Sequence, residues 1–256
     1  MSDKYDISAT IVLYEEDVSM LNKTVESFLR IPLEKKLFLI DNSKSNFLEK
    51  EFNHAEINYQ FVGNNIGFSA GHNLILEQIK QHSKYHLILN PDVCFSGEVI
   101  PRLINEFQNK EDIAMIAPKI VFPDEKYQNS CRRYPSLRDL LIRKSGFLKR
   151  IYTSSIHKGE YGDKDLTRSF YPDFIHGCFM LFKTDDFIKI GGFDERYFLY
   201  MEDVDICRKI DQIDKKKMYY PNEQITHILK KESSKNMRLF FIHFISSIKY
   251  FKKWGF

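Results

Sequence analysis

Along residues 1–95 the apolar positions switch between the spacing of strands and the spacing of helices. ISATIVLY (7–14) is a short β-branched run and predicts a buried strand. DVSMLNKTVESFLR (17–30) then carries Met20, Leu21, Val25, Phe28 and Leu29 at helical spacing. KLFLIDNS (36–43), INYQFVG (57–63) and YHLILNPD (85–92) predict three further strands. Between the last two lie a Gly- and Asn-rich turn, NNIGFSAGHN (64–73), and the helix-like NLILEQIKQH (73–82). Strand and helix alternate, so the expected fold class is α/β: a Rossmann-like, mostly parallel sheet flanked by helices.

Ligands of such sheets bind beyond the carboxyl ends of the strands. There the chain carries Glu15 and Glu16, then Asp41-Asn42-Ser43, then Asn64-Asn65, then Asn90-Pro91-Asp92. Each group alone is ordinary turn chemistry. Together they put carboxylates and amides on one edge of the inferred sheet. Gly63, Gly67 and Gly71 do not make a dinucleotide fingerprint after a strand, and no phosphate-binding P-loop occurs.

The second half reads differently. Residues 124–172 mix Arg132, Arg133, Arg138, Arg143, Lys144, Lys149 and Arg150 with Tyr and Ser and show less periodicity, so a solvated loop is expected, with a mobile or acceptor-facing insert as the alternative. FIHGCFMLFKTDDFIKIGGFDERYFLYMEDVDICRKI (174–210) follows, with an apolar strand at 178–182 and a turn at Gly191-Gly192. Glu202 and Asp203 precede an amphipathic segment, at a helix N-terminus where the dipole favours carboxylates. Capping accounts for one acid, not for three within the four residues Glu202 to Asp205. NMRLFFIHFISSIKYFKKWGF (236–256) predicts a basic amphipathic helix, able to pack on the domain or to lie in a membrane interface.

Composition narrows the function. Thirty-eight Lys and Arg against 35 Asp and Glu leave a formal charge of +3, so a general electrostatic grip on nucleic acid is not expected. Cys94, Cys131, Cys178 and Cys207 are too widely spaced for a zinc site and suit a reducing compartment. MSDKYDISAT lacks a signal-like apolar core, and no run reaches the roughly 18 apolar residues of a spanning helix. The expected location is the cytoplasm, with peripheral contact at the inner face of the cell membrane.

In order, ISATIVLYEED, LIDNS, GNNIGFSAGHN, LILNPDV, GGFDERYFLYMEDVDICRKI and a late His227 resemble the family 2 inverting glycosyltransferases of the GT-A fold. The resemblance is nearest to the bacterial rhamnosyltransferase-like enzymes of O-antigen and capsule assembly. It implies a domain over 1–235, with a nucleotide-binding half (1–95) and an acceptor-binding, catalytic half (96–235), followed by the helix. NPDV stands where the family carries Asp-x-Asp, so Asp92 and His227 would bind Mg²⁺ or Mn²⁺, hard cations suited to carboxylate and phosphate oxygens. Asn90 replaces the first acid and would orient the ribose or a metal-bound water.

The same resemblance implies that Leu13, Tyr14 and Glu15 line the base and that Asp41, beside Asn42, accepts from a uracil or thymine N3–H. Asn65, Gly67, Gly71, His72 and Asn73 would lie beneath the nucleotide and sugar, and Lys230, Lys231 and Ser233 near the departing phosphates. Asp203 would be the base, with Glu202 positioning it or the acceptor. The implied partners are a dTDP- or UDP-sugar, rhamnose favoured, and a glycan or polyprenyl-diphosphate-linked acceptor. An inactive carbohydrate- or lipid-binding partner of a polysaccharide assembly complex is the alternative, opposed by Asp92, Glu202, Asp203 and His227.

Overall fold

The structure is a computed structural model that describes residues 4–139, 150–228 and 237–255. Its strands are β1 (Tyr5–Leu13), β2 (Lys35–Asp41), β3 (Ile57–Phe61), β4 (Ser83–Leu89), β5 (Val93–Cys94), β6 (Ile113–Val121), β7 (Cys131–Arg132), β8 (Phe174–Ile175), β9 (Phe179–Lys183) and β10 (Lys216–His227). The helices are α1 (Val18–Leu29), α2 (Phe68–Asn73), α3 (Leu76–His82), α4 (Val99–Phe107), α5 (Thr153–Gly159), α6 (Thr184–Lys189), α7 (Glu202–Gln212) and α8 (Met237–Trp254). Among the described residues, eight strands form one sheet in the order β3-β2-β1-β4-β9-β6-β10-β5, and β7 and β8 pair separately.

The expected α/β architecture is present, and the first four strands run parallel as their alternation with helices predicts. β9 is inserted antiparallel between β4 and β6, and β5 lies antiparallel on β10. The helix expected over 73–82 is α3, over Leu76–His82, and a short helix α2 forms within the segment expected as a turn. Asn73, at the end of α2, bonds to the 193–195 segment.

Side chains alternate across the sheet and split the core in two. Leu37, Leu39, Leu87, Leu89, Phe179 and Leu181 face one layer, packed by α1 and α4. Phe38, Ile40, Ile88, Met180 and Phe182 face the other, packed by α3, α6, α7 and the end of α8. Period-two alternation with apolar residues on both faces is what a sheet covered on both sides requires. α1 begins at Asp17, whose carboxylate accepts the Met20 N–H at 2.9 Å, a cap worth about 1 kcal/mol.

Residues 124–172 are not simply an exposed loop. Arg132 pairs with Phe174 across β7 and β8, Phe170 bridges Tyr219, and α5 stands over this small sheet. Arg143, Lys144 and Lys149 lie outside the described residues.

Candidate active site

The sheet register brings together residues that are far apart in sequence. β4 ends at Leu89 opposite Phe179, so the next residues on each side, Asn90 and Cys178, are joined by a 2.9 Å bond from the Asn90 N–H to the Cys178 carbonyl. β10 lies against β5 with His227 opposite Val93, which sets the imidazole beside Asp92. His227 Nε2 is 3.2 Å from Asp92 Oδ1, and Nδ1 is 3.1 Å from Gln128 Oε1. The Asn90-Pro91-Asp92 turn is fixed further by Thr24, whose hydroxyl donates to the Pro91 carbonyl at 2.7 Å, and by the Ile228 N–H on the Asp92 carbonyl at 3.0 Å. Burial opposes a charge on His227, but the Cys178 sulfur and the Asp92 carboxylate outweigh it and raise the imidazole to about 10.

The same Gly177-Cys178 backbone reaches the acidic pair. The Gly177 N–H donates to Asp203, whose carboxylate also accepts from the Val204 N–H at 2.9 Å. A Cβ on Gly177 would lie 3.5 Å from the Asp203 Cβ, so the strand start and the first turn of α7 touch directly. Burial raises the Asp203 carboxyl to about 6. Burial, reinforced by Asp203, pushes Glu202 well above the usual carboxylate range, and its Oε2 has no partner among the described residues. Two neighbouring acids with raised proton affinity are suited to proton transfer near neutral pH.

A cleft of about 390 Å³ opens on Asp203. Glu202, Asp203, Tyr200 and Met201 form its floor; Arg132, Lys158 and His176 come from the 124–176 region, and His243 from α8. Arg132 donates to His176 Nε2 at 3.0 Å and to Glu160 Oε1 at 2.8 Å, which fixes the guanidinium beside the acids. Sequence reasoning missed this wall. Arg132 appears in the chain only as one basic residue among many, and Gln128, which holds His227, carries no signal of its own.

The remaining expected site residues divide. Asp41 is fully buried at the end of β2, with its carboxylate accepting from the Tyr59 hydroxyl and from the Ser43 N–H at 2.8 Å. The Asn42 amide donates to the Gly67 carbonyl at 3.2 Å, and its Oδ1 is buried without a partner. Asn65 Oδ1 accepts the Gly67 N–H at 3.0 Å. Gly67 has φ +91°, and a Cβ there would sit 2.6 Å from the Phe198 carbonyl oxygen, so only glycine fits. Gly71 meets Val12 in the same way, at 2.8 Å. Tyr14 and Glu15 are exposed, and the Glu15 N–H donates to Ser43 Oγ.

Three further expected contacts are held within the fold. Leu13 is wholly buried in the core. His72 is buried between Phe68 and Phe193, which holds its imidazole neutral by burial. Asn73 is bonded to Phe193 and Glu195. Lys230, Lys231 and Ser233 lie outside the described residues.

For a metal, Asp92 offers an oxygen donor, and His227 beside it becomes a nitrogen donor only when a cation displaces the proton it shares with Asp92. No group of three or more His, Cys, Asp or Glu among the described residues could hold an ion alone. The pair therefore fits a cation whose shell is completed by ligand oxygens and water, as hard divalent cations accept.

A family model described as glycosyl transferase family 2 matches residues 8–191, which include the strand ends, the Asn90–Asp92 turn and the start of β9. The chain belongs to glycosyl transferase family 2. It is 25% identical over 201 residues to the rhamnosyltransferase WbbL of Escherichia coli (strain K12), covering 75% of this chain and 72% of that one. It is 27% identical over 178 residues to the N-acetylglucosaminyl-diphospho-decaprenol L-rhamnosyltransferase of Mycobacterium tuberculosis, covering 65% of this chain and 57% of the relative. A solved structure of GalNAc-T7 with UDP, GalNAc and Mn²⁺ superposes with a TM-score of 0.66 at 15% identity, over 90% of this chain and 44% of that one. At that identity the likeness shows the fold, which is GT-A. The family 2 chain thus spans little more than half of the mycobacterial relative and less than half of GalNAc-T7.

Proposed function

We propose that this family 2 chain is an inverting glycosyltransferase. It moves a sugar, rhamnose favoured, from a dTDP- or UDP-linked donor to a lipid-linked glycan in bacterial surface polysaccharide synthesis, with Mg²⁺ or Mn²⁺ as cofactor. One observation carries the reading: the Gly177-Cys178 backbone joins Asn90 on one side and Asp203 on the other, so the Asn90–Asp92 turn and the buried acid act across a single strand start. Names of relatives support the sugar and the acceptor, since one is a rhamnosyltransferase and another acts on a diphospho-decaprenol.

In this reading the donor lies along the ends of β1 to β4. Asp41, oriented by its bonds from Tyr59 and Ser43, retains lone pairs for the base N–H. Asp92 and His227 would hold the cation, and Asn90 would orient the ribose or a nearby water. When bound, the cation neutralises charge that grows on the leaving phosphate oxygens. The acceptor hydroxyl enters from the cleft and gives its proton to Asp203. Its oxygen bonds to the anomeric carbon from the face opposite the breaking carbon–oxygen bond, so configuration inverts. Glu202, protonated by burial, positions Asp203 or the acceptor. A polyprenyl acceptor implies work at the inner face of the membrane.

The test is a panel of dTDP- and UDP-sugars with Mn²⁺ or Mg²⁺, read by nucleoside diphosphate release. Metal-dependent hydrolysis of one donor, lost in Asp92→Ala, is expected. A panel with neither hydrolysis nor calorimetric binding of any donor would overturn the reading.

A further inference from the structure

The C-terminal helix α8 has two apolar faces with different surroundings. The inner face grips both sides of the acidic turn. Ser246 Oγ donates to the Leu199 carbonyl at 2.9 Å, Lys249 Nζ to the Arg196 carbonyl at 2.6 Å, and His243 packs on the Tyr200 ring with 5.0 Å between centroids. Beyond the turn, Trp254 Nε1 donates to Asp205 Oδ1 at 2.7 Å, and Lys253 lies 2.8 Å from the same oxygen while also reaching Asp194. Tyr200 and Met201, between these anchors, are consecutive left-handed residues at φ +69° and +70°. Such residues cost of order 1–3 kcal/mol each and persist only where surrounding structure fixes them. The third acid, Asp205, is thereby explained: it is fully buried and ties α8 down.

The outer face is exposed among the described residues. Met237 (68% exposed), Phe241 (55%), Ile245 (50%) and Ile248 (41%) form one stripe at i, i+4, i+8 and i+11, and exposed Lys252 continues it. α8 has no acidic residue, and exposed Arg238 stands near its start. His243 carries the helix into the wall of the cleft. Apolar side chains continued by a cation at one end and flanked by another near the start match an anionic bilayer surface, with the apolar groups in the headgroup boundary and the cations at the phosphates. No helix among the described residues is long and apolar enough to cross a membrane, so α8 would lie on it.

We propose that α8 is a two-sided clamp: its inner face fixes the Tyr200–Asp203 turn while its outer stripe seats on an anionic lipid surface, which sets the mouth of the cleft at the bilayer. The lipid contact stands on its own; only the purpose of the cleft rests on the transferase reading. Trp254, the chain's one tryptophan, reports on the inner face directly.

The full chain is mixed with phosphatidylglycerol–phosphatidylcholine vesicles, followed by flotation and by Trp254 emission, beside Phe241→Ser/Ile245→Ser/Ile248→Ser and the single variant Phe241→Glu. The wild type is expected to float with anionic vesicles and less with pure phosphatidylcholine, its emission unchanged because the inner face stays docked. Partitioning should fall about tenfold or more in the triple variant, as removal of three large apolar side chains predicts, and measurably in Phe241→Glu, both with native Trp254 emission. Equal flotation of wild type and variants, or no flotation, would overturn the lipid surface. A blue shift of Trp254 on binding would overturn the clamp. A wild-type dimer by sedimentation that the triple variant dissolves, without vesicle binding, would assign the stripe to a second copy instead. The donor panel needs no vesicles, so its outcome is separate from each of these.

Discussion

The proposed donor and acceptor sides, which meet at Gly177-Cys178, are built by different means. On the donor side, Asp41, Asn65 and Asn90–Asp92 follow successive parallel strands, so one structural rule sets them all on one edge. On the acceptor side, Arg132, His176, Glu202, Asp203 and His243 come from separate segments that meet only through packing, and the turn beneath them is strained. The difference suggests a division of labour: strand ends make a rigid seat for a nucleotide, and an assembled wall lets the partner vary while the base stays fixed.

The sharpest way to break this division is to alter the two sides separately. Asp203→Asn should lower turnover by about 10²–10⁴-fold, the usual value of a general base, and leave donor affinity unchanged by calorimetry. Asp92→Ala should cost about 10²–10³-fold, the scale of losing charge stabilisation at the leaving group. It should also abolish the response of donor binding to added Mn²⁺. Loss of donor binding together with turnover in Asp203→Asn would merge the two sides.

A pH profile sharpens the acceptor side. Burial raises Asp203 to about 6, and only its deprotonated form accepts a proton. Turnover should therefore fall about tenfold per pH unit below about 6, and this limb should vanish in Asp203→Asn. The stability contribution has the opposite sign. A carboxyl whose folded-state affinity for protons exceeds its unfolded one favours folding at low pH, and that contribution is lost as pH rises from about 4 through about 6. Denaturant midpoints for wild type and Asp203→Asn should accordingly converge toward low pH.

The smallest effect belongs to the donor side. Tyr59→Phe removes one hydroxyl donor from the buried Asp41 carboxylate. A few-fold change in donor affinity is expected, in line with about 1 kcal/mol for a hydrogen bond, with turnover at saturation unchanged. Loss of turnover at saturating donor would show that the base pocket and the chemistry are coupled.

The same contrast explains what the chain disclosed before its structure was known. β1 to β4 were legible because apolar runs and polar ends repeat, and the order of motifs singled out Asp92, Asp203 and His227, which the proposed mechanism uses. Their proximity was not, because it depends on two antiparallel pairings, β9 on β4 and β10 on β5, joining residues more than a hundred positions apart in the second case. The surroundings of His72 and Asn73 were hidden for a related reason: the 193–195 segment, about 120 positions away, packs on one and bonds to the other. The helix over 237–254 was read as needing one apolar face for either packing or a membrane. Its eighteen residues carry two faces, Tyr250 and Phe251 inward and Phe241, Ile245 and Ile248 outward.

The most direct test of the account is calorimetry of UDP and dTDP with and without Mn²⁺ on three proteins: wild type, Asp203→Asn and Asp92→Ala. The account predicts equal, Mn²⁺-enhanced binding of one nucleotide to wild type and Asp203→Asn, and loss of that enhancement in Asp92→Ala. Nucleotide binding lost in Asp203→Asn but intact in Asp92→Ala would contradict it.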